Sequence, residues 1–296
     1  VSIVAQRIET LSELVMNPSP KKPRLIVSSI GAVLQKLPPA KIFRNSFKDV
    51  AVGKKLDFNE FLHYAAVNGY NRVEQVMEPG EYAVRGDIID IFPVGTTEPL
   101  RLDLFDDEVE RIRTFDAMSQ RTTGELKSYS FKVMSEALLD ANTIKTFRGK
   151  YREAFGAAFK DDEIYEAISA GRKYIGMENW LPFFYEDPLP TLFDYLPAAY
   201  VVCGKNVDDA ATAKAESVAD YYKARLEALE VKSTAEADAY RPVSPELLYL
   251  RPEQFARILM PRRVVRLTPL SIPDDERVAN AGVVPSRDFS FNKSIN

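Results

Sequence analysis

Between residues 73 and 115 the apolar side chains stop recurring at helical intervals and begin to alternate, and no other stretch constrains the fold as much. Along Leu100-Arg101-Leu102-Asp103-Leu104-Phe105 a period of two puts three leucines on one face and Arg101, Asp103 and Phe105 on the other. Strands are predicted at 73–77 leading into 81–92, at 100–105 and at 108–115. The turns fall at Pro79-Gly80, 95–99 and Asp106-Asp107, and Gly86 marks an expected bulge. Ahead of them, Asp57 and Glu60 have capping-box spacing before Phe61, Leu62, Ala65 and Ala66, and Gly69 is a helix stop. One helix laid against an antiparallel sheet is the economical arrangement, an α+β unit over residues 47–123.

The flanks read differently. Ile3, Arg7, Ile8, Leu11, Leu14 and Val15 have helical spacing, closed by Asn17-Pro18. Arg24-Leu25-Ile26-Val27-Ser28 has the pattern of a short buried strand, and a helix over 30–37 stops at Pro38-Pro39. Helix, strand and helix in that order suggest an α/β domain entered midway, as in a fragment. Helical spacing returns at Tyr151, Phe155 and Phe159 and again at Ile164, Tyr165 and Ile168, with Gly171 as terminator. The aromatic stretch 180–195 holds three prolines and reads as a packed loop. A buried strand is expected at 200–203 and an amphipathic helix at 208–229.

Several chemistries are missing. One cysteine and one histidine cannot supply a zinc site or an internal disulfide. His63 falls in the predicted helix, where a structural or solvent-facing role is expected. None of the 13 glycines opens a G-x-x-x-x-G-K-[ST] or G-x-G-x-x-G loop. Asp103, Asp106, Asp107, Glu108 and Glu110 cluster, but they flank a predicted hairpin turn, where acids are usually solvated. Catalytic, cofactor-binding and metal-binding residues are therefore all expected to be none. Lys and Arg number 39 against 43 for Asp and Glu, so a nucleic-acid binder would need a local patch. The candidate patch is residues 241–266, with Arg241, Arg251, Arg257, Arg262, Arg263 and Arg266. No apolar run approaches the roughly 20 residues of a membrane span and the first residues have no signal-peptide layout, so no membrane partner and a cytoplasmic location are expected.

Strand parity offers a different surface. If the leucines of 100–105 face the core, Phe105 stands on the solvent side beside Arg101, a pairing enriched at protein–protein hot spots. In the preceding strand Tyr82, Val84 and Ile88 alternate with Ala83, Arg85 and Asp87, so Arg85 shares that face. The bland alternative is that Phe105 turns inward and the charges form an ordinary cross-strand ladder.

The same residues carry a resemblance. Tyr70-Asn71-Arg72-Val73-Glu74-Gln75-Val76 followed by Pro79-Gly80-Glu81-Tyr82-Ala83-Val84-Arg85-Gly86-Asp87-Ile88-Ile89-Asp90-Ile91-Phe92-Pro93 resembles the signature shared by UvrB and the transcription-repair coupling factors (Mfd). The match continues through 101–108, Arg113-Thr114-Phe115-Asp116 and Ser119-Gln120-Arg121. A second block, Gly176-Met177-Glu178-Asn179-Trp180 with 190–197, resembles the same families, so roughly residues 1–270 are covered. In UvrB a strand ending in the Walker B acid pair follows the second block. Here that stretch is Val201-Val202-Cys203-Gly204-Lys205-Asn206, and Cys and Gly cannot position magnesium. Those missing acids, with the wording of Ser119-Gln120-Arg121, favour the coupling-factor side.

The resemblance implies a degenerate helicase-like (UvrB domain 1-like) α/β domain in two segments, 1–46 and 130–270. An inserted α+β module at 47–129 interrupts it, and 271–296 would be a linker or the start of a further domain. In both families the inserted module binds UvrA, the damage-recognition ATPase of nucleotide excision repair, and the UvrA-contacting residues match Arg85, Arg101 and Phe105. Phe105 would supply apolar area, and the arginines charge-assisted hydrogen bonds. The acidic turn at 106–108 would repel acidic wrong partners. The longer parent would be an ATP-dependent translocase that displaces stalled RNA polymerase. Its ATP, magnesium, RNA polymerase and duplex DNA would bind outside this chain, and a C-terminal domain would mask the UvrA face until polymerase is engaged. Two other readings stay open: a nucleic-acid module using residues 241–266, and a residual UvrB-type ATPase.

Overall fold

Asp57 starts a helix at Phe58–Val67 by accepting from the Glu60 amide at 2.8 Å, and Gly69 at φ +90° ends it. In this computed structural model, which describes residues 3–156, 162–232, 240–269, 278–280 and 282, that helix and its sheet are the centre of one unit. Ten strands follow in chain order: β1 (Lys48–Ala51), β2 (Asn71–Arg72), β3 (Glu81–Arg85), β4 (Ile88–Ile91), β5 (Leu100–Phe105), β6 (Glu108–Phe115), β7 (Thr122–Leu126), β8 (Ser128–Phe131), β9 (Val201–Cys203) and β10 (Val264–Arg266). Strands β2 to β7 form one sheet in sequence order, antiparallel except for the parallel β2–β3 edge. Tyr82, Ile89, Ile91, Leu100, Leu102, Leu104, Val109 and Ile112 share one core with Phe61 and Ala65 of the helix, the three leucines of β5 as alternation requires.

The module closes on itself. Strands β1 and β8 pair antiparallel, Lys48 opposite Phe131 and Ala51 opposite Ser128, so its entry and exit lie side by side. Beyond that stem, the helices at Ile3–Met16, Lys41–Asn45, Ala141–Phe155 and Glu163–Ser169 and the 3-10 turn at Met177–Phe183 add their buried side chains to the same core. Arg7 pairs with the buried Glu136, and Lys132 reaches Glu9 at 2.9 Å, so charged contacts also tie the helix Ile3–Met16 to residues just after the stem. A second, smaller core gathers Leu34, Phe193, Cys203, Ala211, Leu250, Phe255 and Leu259. The helices Val207–Lys232 and Pro252–Leu259 and the parallel pair β9–β10 supply most of it.

The architecture is mixed α/β, as expected, with five local differences. Residues 81–92 are a hairpin and not one strand: Gly86, at φ +60°, and Asp87 make a two-residue turn between the paired Arg85 and Ile88. The sheet continues into β7 through polar residues whose alternation carries no apolar signal. Residues 24–28 form no strand, with Leu25 and Val27 each 87% exposed, because no strand pairs with them among the described residues. The helix expected over 30–37 ends at Leu34, where Gln35 turns extended and bridges Tyr249. Likewise β9 is only partly buried, with Val202 60% exposed. The segment at 271–296 lies almost wholly outside the described residues.

Candidate partner-binding face

The sheet's second face is polar and unevenly covered. In register across it run Ala83, Asp90, Arg101, Arg113 and Glu125 as one row, and Arg85, Ile88, Asp103 and Arg111 as the next. The end beside the first row is roofed by a small apolar cluster of Val76, Ala83, Phe92 and Phe115. Gln120 ties that roof down, donating to the carbonyls of Ala117 at 2.7 Å and Val76 at 3.3 Å from a backbone held at φ +59°. Asp116 caps the same loop by accepting from the Ser119 amide at 2.7 Å, and the Ser119 side chain, followed by that amide, holds its carboxyl below the usual range.

Arg101 lies on the predicted face, but its fork is occupied. Its Nε and Nη2 donate to the two oxygens of Asp90 at 2.6 and 2.8 Å, and its guanidinium stacks 4.6 Å from the Phe115 ring centre. Only 16% of the Arg101 side chain and 2% of Asp90 are exposed. The hydrogen bond to Asp90 raises the arginine's already high pKa, so it is a cation at every relevant pH. Arg113 makes the same bidentate pair with Asp103 at 2.8 and 2.6 Å. The ladder alternative is therefore correct for those four charges.

It is not correct for Phe105, which ends β5 on the outer face, 73% exposed. Arg85 is exposed too, donating once to the Glu74 carbonyl at 3.2 Å. One of the turn acids beside Phe105 is drawn off to one side. Asp107 pairs with Lys55 at 2.6 Å, and that hydrogen bond holds its carboxyl below the usual range. Glu108 adds to the field that raises Lys55. Of the three residues expected here, Phe105 and Arg85 are open while Arg101 is largely built into the sheet.

Strand parity missed Arg111. Counted back from the hairpin pair Phe105–Glu108, simple alternation sets Arg111 opposite Leu102 and facing the core. A bulge between Asp103 and Leu104 inserts Glu110 and returns Arg111 to the outer face, opposite Asp103. The signal was present: Val109 and Ile112, three apart and both buried, cannot share a face in a regular strand.

Elsewhere the candidate chemistry is committed to structure. Arg262 donates to the carbonyls of Phe193, Leu196 and Pro197, Arg263 to the Tyr200 hydroxyl, Arg266 pairs with Asp208, and Arg241 with Asp162. Arg257 alone of the six is exposed without a side-chain partner among the described residues, while Arg251 caps its helix, its backbone N–H donating to Gln254 Oε1 at 2.9 Å. The stretch after β9 does not fit a nucleotide–magnesium site, because Cys203 is buried, Gly204 and Lys205 carry no carboxylate, and the nearby Asp208 is held by Arg266. His63 is exposed on its helix.

Residues 49–136, essentially the stem and the sheet, match the UvrB interaction domain family. Along 95% of its length the chain is 33% identical to the transcription-repair-coupling factor of Escherichia coli, covering 23% of that protein. The chain is a relative of the transcription-repair-coupling factors. The Haemophilus influenzae factor is 38% identical over 66% of the chain and 17% of that protein. The Bacillus subtilis factor is 29% identical over 65% of the chain and 17% of that protein. The chain thus spans less than a quarter of the length of these relatives. No helix among the described residues is long and apolar enough to cross a membrane.

Proposed function

We propose that this chain is a UvrA-recruiting module of a transcription-repair coupling factor in nucleotide excision repair. The observation that carries the reading is an exposed Phe105 at the end of a strand of the UvrB interaction domain, with Arg85 open beside it. An exposed aromatic near an open arginine is the residue pairing enriched at protein–protein hot spots. Phe105 supplies the desolvated area and Arg85 a charge-assisted hydrogen bond to a UvrA carboxylate or carbonyl. Arg101 holds Asp90 in place and offers the partner its remaining Nη1 edge.

The chain itself is non-catalytic in this reading. ATP and magnesium serve a translocating motor elsewhere in a longer parent, where RNA polymerase and duplex DNA also bind, and the protein works in the cytoplasm. The nucleic-acid reading of residues 241–266 is the weaker one, since four of those six arginines are already partnered within the chain.

The test is calorimetric titration of the chain with purified UvrA, wild type against Phe105→Ala and Arg85→Ala. Truncating a hot-spot aromatic costs on the order of 2 kcal/mol, about thirtyfold in affinity. Failure of the folded wild type to bind UvrA would refute the recruitment reading. Binding retained by both variants would keep the partner and discard the face.

A further inference from the structure

We infer that Arg111 is a partner-binding residue, the second open cation beside Phe105, and that it meets a carboxylate on UvrA; this rests on the recruitment reading above. The outer face has two kinds of arginine. Arg101 and Arg113 each close both ends of their fork on a carboxylate of the neighbouring strand. Arg111 stands directly opposite Asp103 in register, yet both Asp103 oxygens are taken by Arg113 from the adjacent row. It is exposed, and its side chain makes no hydrogen bond or ion pair among the described residues.

Its place is set by the sheet. The row Arg85, Ile88, Asp103, Arg111 crosses four strands, so its two arginines stand about three strand spacings apart, roughly 14 Å. Phe105 lies two residues beyond Asp103 on the same face of β5, between the strands that carry those arginines. The result is an aromatic knob flanked by two cations whose internal counter-charges are already used. Of the acids next along, Asp107 is paired with Lys55. A surface complementary to it has an apolar recess with carboxylates on either side, about 14 Å apart. The bulge at Glu110 is what makes this possible, because without it Arg111 would point into the core.

Calorimetric titration with purified UvrA of the wild type, Phe105→Ala, Arg111→Gln, Arg111→Lys and Glu110→Gln, at two salt concentrations, tests the assignment. Arg111→Gln is expected to weaken binding about tenfold and flatten the salt dependence, Arg111→Lys to keep most of the affinity, and Glu110→Gln not to weaken it. Wild-type affinity for Arg111→Gln, with Phe105→Ala still impaired, would overturn this inference and leave the recruitment reading intact. Weakening by Glu110→Gln equal to that by Arg111→Gln would show that the facing surface is not acidic. Equal losses for Arg111→Gln and Arg111→Lys with a lowered Tm would make Arg111 a support of the bulge, which also overturns it. No binding by the wild type defeats the recruitment reading first, and this one with it.

Discussion

At the scale of single residues, the same sheet face holds arginines with opposite jobs, and substitutions should separate them. Asp90 is buried and its two oxygens are bound by Arg101, so Asp90→Ala strands a mostly buried cation beside Phe115. Breaking such a pair costs about 3 kcal/mol or more, whereas Phe105→Ala removes a ring already in water and should leave stability within about 0.5 kcal/mol. Urea denaturation of the two variants checks this, and equal destabilisation would contradict it. Glu136 offers a pH test. Burial raises its carboxyl above the ordinary value of 4.5, against the opposing pull of Arg7. Between that ordinary value and the raised one the folded state binds more protons than the unfolded state, so this group adds stability as pH falls through that window. Melting scans of wild type and Glu136→Gln from pH 7 downward should show the wild type gaining on the variant. A gap that moves the other way would place the carboxyl's folded pKa below its unfolded one.

At the scale of elements, β6 is where local pattern and tertiary position part company. Deleting Glu110 removes the unpaired residue and leaves Leu104–Val109, Asp103–Arg111 and Leu102–Ile112 as a regular ladder, so the deletion should keep Arg111 on the outer face and retain UvrA binding. Glu110→Gln, which keeps the extra residue, should retain it too. Calorimetry reads the binding, far-ultraviolet circular dichroism checks that the sheet persists, and loss of binding by a folded deletion variant would contradict the register argument. Much of this module was legible beforehand: Asp57 and Gly69 bound the helix, three leucines at period two set the buried face of β5, and the exposure of Phe105 follows from them. What was not legible has physical causes. Gly86 reads equally as a bulge or a tight turn, because both need the positive φ that it adopts. The polar strand β7 has no apolar alternation to reveal it. Residues 24–28 carry a buried-strand pattern, yet pattern cannot say whether a neighbouring strand is there to pair with. The Arg101 fork was invisible too, since alternation carried through Gly86 set Asp90 on the face of Tyr82 and Val84, and only the hairpin turn there brings Asp90 opposite Arg101.

At the scale of the whole molecule, the two cores predict how the chain comes apart. The larger core takes side chains from the helix Ile3–Met16, from both sides of the β1–β8 stem and from the aromatic group Phe147, Tyr151, Phe183 and Phe184, so the module and its frame share one apolar interior. Elements that share an interior lose it together, and the sheet should not melt apart from the flanking helices. The smaller core has less to hold it: its parallel pair β9–β10 has two strands, and Val202 and Val265 face water. Each core contains one natural reporter. The single tryptophan, Trp180, is buried in the larger core with its Nε1 donating to the Arg241 carbonyl at 2.9 Å. The single cysteine, Cys203, is buried in the smaller one, where burial pushes its thiol up and slows its reaction. Rising urea should therefore expose Cys203 to a thiol reagent such as DTNB at a lower concentration than that which shifts Trp180 emission. The Trp180 transition itself should be single and should coincide with loss of sheet signal by circular dichroism. Coincident midpoints for thiol and tryptophan would mean that the smaller core is stabilised as strongly as the larger. A tryptophan transition displaced from the sheet signal would mean that the UvrA-recruiting face stands on an independently folding domain, not on a sheet braced by its frame.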